Sequence, residues 1–289
     1  MTLIDIHPHV MSDDRVRYPL NLIFDHVAPY VKEHPVTAEE MIAEMDAAGI
    51  AKSVLVHSSM GYGYDNSYAA DSAAAYPERF ACVGSIDIRA ADAPQRIRYW
   101  IRERGMSGIR IFTSGGTMAE DSDWLADPVT FPAWETAAEL GIPVCLQMKF
   151  GGFRVLPTLL ERYPTVPLIL DHLCRPPAAD GPPYAAAAAL WALADSPNVY
   201  LKLTTNNFRE LNDGRSTTRS FVQRCVDLFG ADRIAWGSNY PASAGTLEEL
   251  AALAQRELAF LPAADRASIL ADTARALYPA LEAKRGERV

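Results

Sequence analysis

No run of roughly 18 apolar residues occurs in this chain, so no segment is expected to cross a bilayer as a helix. The opening stretch "MTLIDIHPH" has no basic region followed by an apolar run, so no secretory signal is expected there. Cysteine is sparse. Cys82, Cys145, Cys174 and Cys225 are widely scattered, with neither a CxxC pair nor a disulfide framework, an arrangement expected of a reducing, cytoplasmic setting. Positive charge is in deficit: 27 Lys and Arg against 36 Asp and Glu give a net charge of −9. No basic stripe stands out, and nucleic acid is therefore not an expected partner. No GxGxxG follows the first apolar run, which removes the signature of a dinucleotide-binding sheet. No low-complexity linker divides the chain, so residues 1–289 read as one domain with a core to match their length.

What is present is alternation. Short β-branched or apolar runs recur at 3–10, 52–58, 80–87, 108–113, 142–149, 167–173, 199–205 and 233–241. Amphipathic stretches separate most of them. "TAEEMIAEMDAAG" has a threonine cap, early acids and a closing glycine. "APQRIRYWIRERG", "FPAWETAAELG", "RVLPTLLERYP", "AAAAALWALADSP" and "RSFVQRCVDLFG" follow, and two further helical patterns close the chain. Strands alternating with helices pair in parallel through right-handed crossovers. Eight such units predict an α/β fold, a single (β/α)8 TIM barrel.

In such a barrel, functional side chains gather at the C-terminal ends of the strands. "IDIHPHV" at residues 4–10 places two of the six histidines there, and strict alternation turns Asp5, His7 and His9 to one face. His57 and Ser58 end the second strand, Gln147 and Lys149 the fifth, His172 the sixth and Asn239 the eighth, while Arg110 and Lys202 lie within strands. Each residue alone reads as an ordinary core or rim group. Together they converge on one mouth.

"DIHPH", "DHLCRP" and "WGSNYP", in that order, together with "YGYDNSYAADSAAAYPERFACVGSID", resemble the amidohydrolase-related (family 2) branch of the amidohydrolase superfamily over essentially the whole chain. "DDRVRYPL" and "DHLCRPP" are most similar to its 2-pyrone-4,6-dicarboxylate lactonase-like members. The resemblance implies a barrel hydrolase. In metal-dependent members the strand-1 histidines, a strand-5 His or Lys, a strand-6 His and a strand-8 Asp surround one or two divalent ions. The pyrone-dicarboxylate lactonases keep the two histidines and work without metal, with the strand-8 Asp activating water.

This chain departs from the metal pattern by carrying Gln147 and Asn239, and neutral amides are weak zinc ligands. The expectation is therefore no metal, with His7 and His9 donating hydrogen bonds to a substrate carbonyl beside His172. Zinc on His7, His9 and His172 is the alternative. Asn239 cannot act as a base at neutral pH. It is either natural, with His172 or His57 as base, or an inactivating replacement of Asp. Arg175 and Arg209 are candidates for binding a substrate carboxylate. Tyr18, Ser58, Tyr64 and Gln147 are candidates for lining the mouth, and Asn66 reads as a substrate contact or a helix cap.

The expected activity is a hydrolase opening a lactone of a small carboxylic acid. One alternative is a metal-dependent hydrolase or non-oxidative decarboxylase. The other is a small-acid-binding barrel without catalysis. A small molecule is the expected partner, with monomer and homodimer left open.

Overall fold

The computed structural model describes residues 2–23, 27–113 and 122–282. Eight strands form one sheet in sequence order: β1 (Leu3–Asp5), β2 (Ile50–Val56), β3 (Phe80–Ser85), β4 (Ile109–Phe112), β5 (Val144–Gln147), β6 (Leu168–Asp171), β7 (Val199–Thr204) and β8 (Ile234–Gly237). Every neighbouring pair is parallel. The circle closes where Ile6 N donates to Trp236 O at 3.2 Å and His9 N donates to Tyr240 O at 2.8 Å. This is the (β/α)8 barrel that the alternation predicts. No described helix is long and apolar enough to cross a membrane.

The helical stretches form for local reasons. Thr37 and Glu40 make a reciprocal capping box at the start of Ala38–Ala47, satisfying two amide donors that have no partner within the helix. Thr246 and Glu249 do the same for Leu247–Glu257. Gly141 ends Phe131–Leu140 at φ +62°, a left-handed conformation that costs glycine nothing. The last expected helix breaks into Ala263–Ala267, a π-turn at Ser268–Asp272, and Thr273–Leu277.

Strand period sorts the side chains into two layers. Val144, Leu146, Leu168, Leu170, Leu201 and Leu203 face the helices in the outer core. Ile4, Ile6, Val54, Val56, Ala81, Val83, Cys145, Ile169 and Ala235 fill the barrel interior. Ala271, Ala274, Leu277, Tyr278 and Leu281 join that inner cluster, so the C-terminal helical segment plugs the barrel floor. Tyr278 is fully buried, and its hydroxyl lies 3.4 Å from Cys145 Sγ.

β1 is shorter than expected. It stops at Asp5 with a bend at Ile6, so alternation does not carry through the HPH triplet. Ile4 and Ile6 face inward. Asp5 accepts from His7 N at 2.9 Å and from Ser238 N at 2.8 Å, fixing the ends of β1 and β8 to each other instead of facing the mouth beside the histidines. A buried carboxylate aimed at two backbone donors overrides the strand pattern. The tail beyond Glu282 lies outside the described residues.

Two stability outcomes follow from this packing. Tyr278→Ala removes the floor plug and is expected to cost about 3–5 kcal/mol, the range for emptying a buried aromatic site, read as a lower denaturant midpoint. A Cβ on Gly237 would sit 2.5 Å from His7 Cβ, so Gly237→Ala should cost about 1–3 kcal/mol by the same measurement. An unchanged midpoint for either variant would contradict the packing described.

Candidate active site

Three imidazoles meet at the C-terminal end of the barrel. The His7 and His172 ring centroids are 4.7 Å apart, and those of His7 and His9 are 5.1 Å apart. All three residues are buried. The ends of β1 and β6 thus bring their imidazoles together at one end of the barrel.

Their hydrogen bonds fix which nitrogens carry protons. His9 Nδ1 lies 2.9 Å from Val56 O, an acceptor only, so Nδ1 is the protonated nitrogen and Nε2 keeps its lone pair. The Thr204 hydroxyl donates to Asn207 Oδ1 at 3.1 Å. His172 Nδ1, 2.7 Å from that same hydroxyl oxygen, must therefore donate to it, which leaves Nε2 as an acceptor. His57 spends its Nε2 proton on Gly63 O at 2.9 Å. Neither ring nitrogen of His7 has a hydrogen-bond partner. Of the three clustered rings, His7 alone has a tautomer that its partners leave open.

Burial keeps these rings neutral. Desolvation, reinforced by the Arg110 charge, lowers His9 to about 3. Desolvation also lowers His172 to about 3, with Asp171 opposing and Arg110 adding to the shift. His7 falls well below the usual imidazole range through burial and then through the Lys202 charge. His57 is lowered by burial to about 4. A neutral His9 with its proton on Nδ1 cannot donate from Nε2. In this tautomer His9 offers Nε2 as an acceptor, whereas the expectation had it donate to a carbonyl.

Below the imidazoles lies a buried charge cluster. Asp171 receives Lys202 Nζ at 2.8 Å on Oδ1 and Arg110 Nε at 2.8 Å on Oδ2. His7 Nδ1 is 3.9 Å from the same Oδ1. Burial alone would raise the Asp171 carboxyl, but the Lys202 and Arg110 charges overcome it and hold it below the ordinary carboxylate range. Arg110 also donates to Gln147 Oε1 at 2.5 Å. Asp171 was not singled out from sequence. Its signal is a charged residue at an inward position of an apolar strand, in register with Lys202 on β7.

The divalent ion that the metal-dependent branch implies fits these residues poorly. The lone pairs of His9 and His172 are suitable donors, but no carboxylate or thiolate joins them. Gln147 Oε1 is taken by Arg110, and two buried cations stand nearby. Among the described residues no group of three or more His, Cys, Asp or Glu is arranged to hold a metal ion.

A cavity of about 250 Å³ opens beside His172, lined by Gln147, Met148, Lys149, Asp171, Cys174 and Arg175 among others. Lys149 and Arg175 are its exposed cations. His172, Leu173, Cys174 and Arg175 form a left-handed turn, with φ between 51° and 56°. Four non-glycine residues in this region cost roughly 1–2 kcal/mol each, so the surroundings must hold them. Asn207 Nδ2 donates to His172 O at 2.9 Å, and Arg175 N donates to His172 O at 3.0 Å. The turn sets His172 and Arg175 against one cavity.

Other candidates are employed elsewhere. Arg209 is exposed, donates to Ala244 O at 2.7 Å and is not among the residues lining this cavity. Tyr18 donates to Asp71 Oδ2 at 2.6 Å, and Ser58 Oγ donates to Val10 O at 2.9 Å. The Tyr64 ring stacks on Phe112 with centroids 5.7 Å apart. Asn66 makes no side-chain cap. It ties its loop to β3 by accepting from Ser85 N at 2.7 Å and donating to Ser85 O at 3.0 Å. Asn239 has φ +59°, a conformation asparagine tolerates better than most residues. Its Nδ2 donates to Ser243 Oγ at 3.0 Å, whose proton goes to Asn206 Oδ1 at 3.0 Å.

L-fucono-1,5-lactonase of Burkholderia ambifaria is 32% identical over 203 residues, 68% of this chain and 67% of that protein. A candidate 2-pyrone-4,6-dicarboxylic acid hydrolase of Pseudomonas putida shares the fold at TM-score 0.76 and 22% identity, covering 96% of this chain and 98% of that one. An amidohydrolase of Burkholderia multivorans, solved with bound zinc, matches at TM-score 0.73 and 22% identity, covering 96% and 99%. The amidohydrolase family model matches residues 4–280, and with the HPH triplet, the DH pair and the barrel in place, this chain belongs to the amidohydrolase family.

Proposed function

We propose that this protein hydrolyses a lactone of a small acid, by attack of water and without a metal ion. The observation that carries the reading is the packing of two unlike imidazoles at one end of the barrel: His172, which lines the cavity, with a lone pair on Nε2, and His7 behind it with its tautomer free. Similarity to the fucono-lactonase supports the reaction class.

His172 Nε2 takes a proton from water while the water oxygen bonds to the lactone carbonyl carbon. The carbonyl π electrons move to oxygen, and a His7 N–H donates to the oxyanion that forms. On collapse the ring C–O bond breaks, and the proton on His172 passes to the leaving alkoxide. A hydroxy acid leaves. His9 Nε2 accepts a hydrogen bond from substrate or water. Lys149 and Arg175 bind a carboxylate of the substrate at the cavity rim, and Asn239 orients the water through its Oδ1. A cavity of about 250 Å³ restricts the substrate to a single small ring.

A panel of five- and six-membered lactones, with aromatic carboxylates added to detect decarboxylation, tests the reading. The expected result is turnover of at least one lactone, kcat/KM unchanged by chelator, and less than one equivalent of zinc by elemental analysis. Turnover abolished by chelator and restored by zinc would establish the metal-dependent reading. No turnover would leave a binding barrel.

The pH dependence follows from His172. Its lowered value of about 3 keeps the basic form populated well below the usual imidazole value of 6.5, and only stronger acid removes it. With the panel lactone, kcat/KM should stay flat from about pH 8 down to about pH 5 and fall only below that, without a step near 6.5. His172→Ala should lose about 10²- to 10⁴-fold in kcat. A step near 6.5 in the parent that vanishes in His172→Ala would refute a base held neutral by burial.

A further inference from the structure

Arg175 stands between two cavities. One is the cavity of about 250 Å³ beside His172; the other, of about 230 Å³, is lined by Asn207, Glu210 and Asp213 among others. Arg175 Nε lies 3.7 Å from Glu210 Oε1. The short helix Thr205–Glu210 thus meets the left-handed turn at both ends. Asn207 donates to His172 O, and Glu210, three residues on and so on the same helix face, meets Arg175, three residues beyond His172. The two contacts differ in strength. Asn207 and His172 are buried, and their hydrogen bond is 2.9 Å long. The Arg175 and Glu210 side chains are 63% and 46% exposed, so water screens their attraction and the pair is weakly held. Asn207 fixes the backbone of the turn, whereas Glu210 tethers only a guanidinium.

We infer that Glu210 is a specificity-determining residue: it competes with the carboxylate of an anionic lactone for Arg175, and thereby sets how strongly the site prefers that lactone to a neutral one. The inference rests on the lactone-opening reading. A carboxylate beside His172 finds Arg175 and Lys149 on one cavity, and the planar guanidinium suits its two oxygens. Glu210 already presents the same group to the same cation. In a purely structural role Glu210 would pin the turn, and its loss would loosen His172 and lower kcat for every lactone alike. Competition gives the opposite sign, and for the anionic lactone alone.

Glu210→Gln keeps the shape and removes the charge. Calorimetry with tetrahydropyran-2-carboxylate, a stable ring acid, should show about two- to fivefold tighter binding than in the parent, with the neutral tetrahydropyran-2-carboxamide shifted by less than about 1.5-fold. In an Arg175→Met background the same change should move the carboxylate by less than about 1.5-fold, because the effect passes through one contact. Asp213→Asn removes another acid from the same cavity and should have less than about half the effect of Glu210→Gln, since a screened charge acts mainly on its direct partner. On the lactone panel, Glu210→Gln should raise the ratio of kcat/KM for carboxylate-bearing over neutral lactones by the same factor, through KM. A parent with no preference for carboxylate over carboxamide would overturn the inference. So would unchanged or weaker carboxylate binding in Glu210→Gln, an equal effect of Asp213→Asn, a tightening that survives Arg175→Met, or a uniform loss of kcat across the panel. The expected binding pattern in a protein that turns over no lactone would overturn the reaction reading alone.

Discussion

The carboxylate of Asp171 is the joint on which this site depends. Lys202 of β7 and Arg110 of β4 meet on its two oxygens, and His7, just beyond β1, stands 3.9 Å from it. Burying three charges is expensive, and attraction between them offsets that cost only when their geometry is held. The barrel holds it. The three residues face inward from parallel strands locked in register, with Cys145 and Tyr278 closing the space beneath. Removing Asp171 alone would leave two cations in a dry interior, a far worse state than removing one cation.

That buried charge sets the chemistry of the rings above it. An imidazole near two cations and away from water stays neutral, and a neutral imidazole must choose which nitrogen bears its proton. Val56 O makes the choice for His9, and the Thr204–Asn207 capping pair makes it for His172. The same Asn207 restrains the left-handed turn at His172–Arg175 by bonding His172 O. A helix cap at the end of β7 therefore orients a ring and steadies a strained segment at the end of β6. Backbone strain of this kind persists where neighbouring contacts over-determine it, and it lies here at the site.

The sequence by itself determined the barrel and placed His7, His9 and His172 at one end of it. Eight apolar runs separated by amphipathic segments leave few alternatives, because parallel strands require crossovers and each helix must bury its apolar stripe on the sheet. His7, His9 and His172 were legible because strand ends in this fold share one rim. Gln147 and Asn239 were legible as departures because a neutral amide is a weaker ligand than the strand-5 His or Lys and the strand-8 carboxylate they replace. Tertiary structure alone decided the rest. Whether an arginine reaches the cavity depends on the path of its loop, and Arg209 meets Ala244 O while the exposed Arg175, last of four left-handed residues, lines the cavity beside His172. Whether a histidine donates or accepts depends on a partner distant in sequence, as Val56 is from His9. The pairing of Asp171 with Lys202 and Arg110 joins strands across 31 and 61 residues of chain. Local pattern cannot specify such contacts, because they exist only once the sheet has closed on itself.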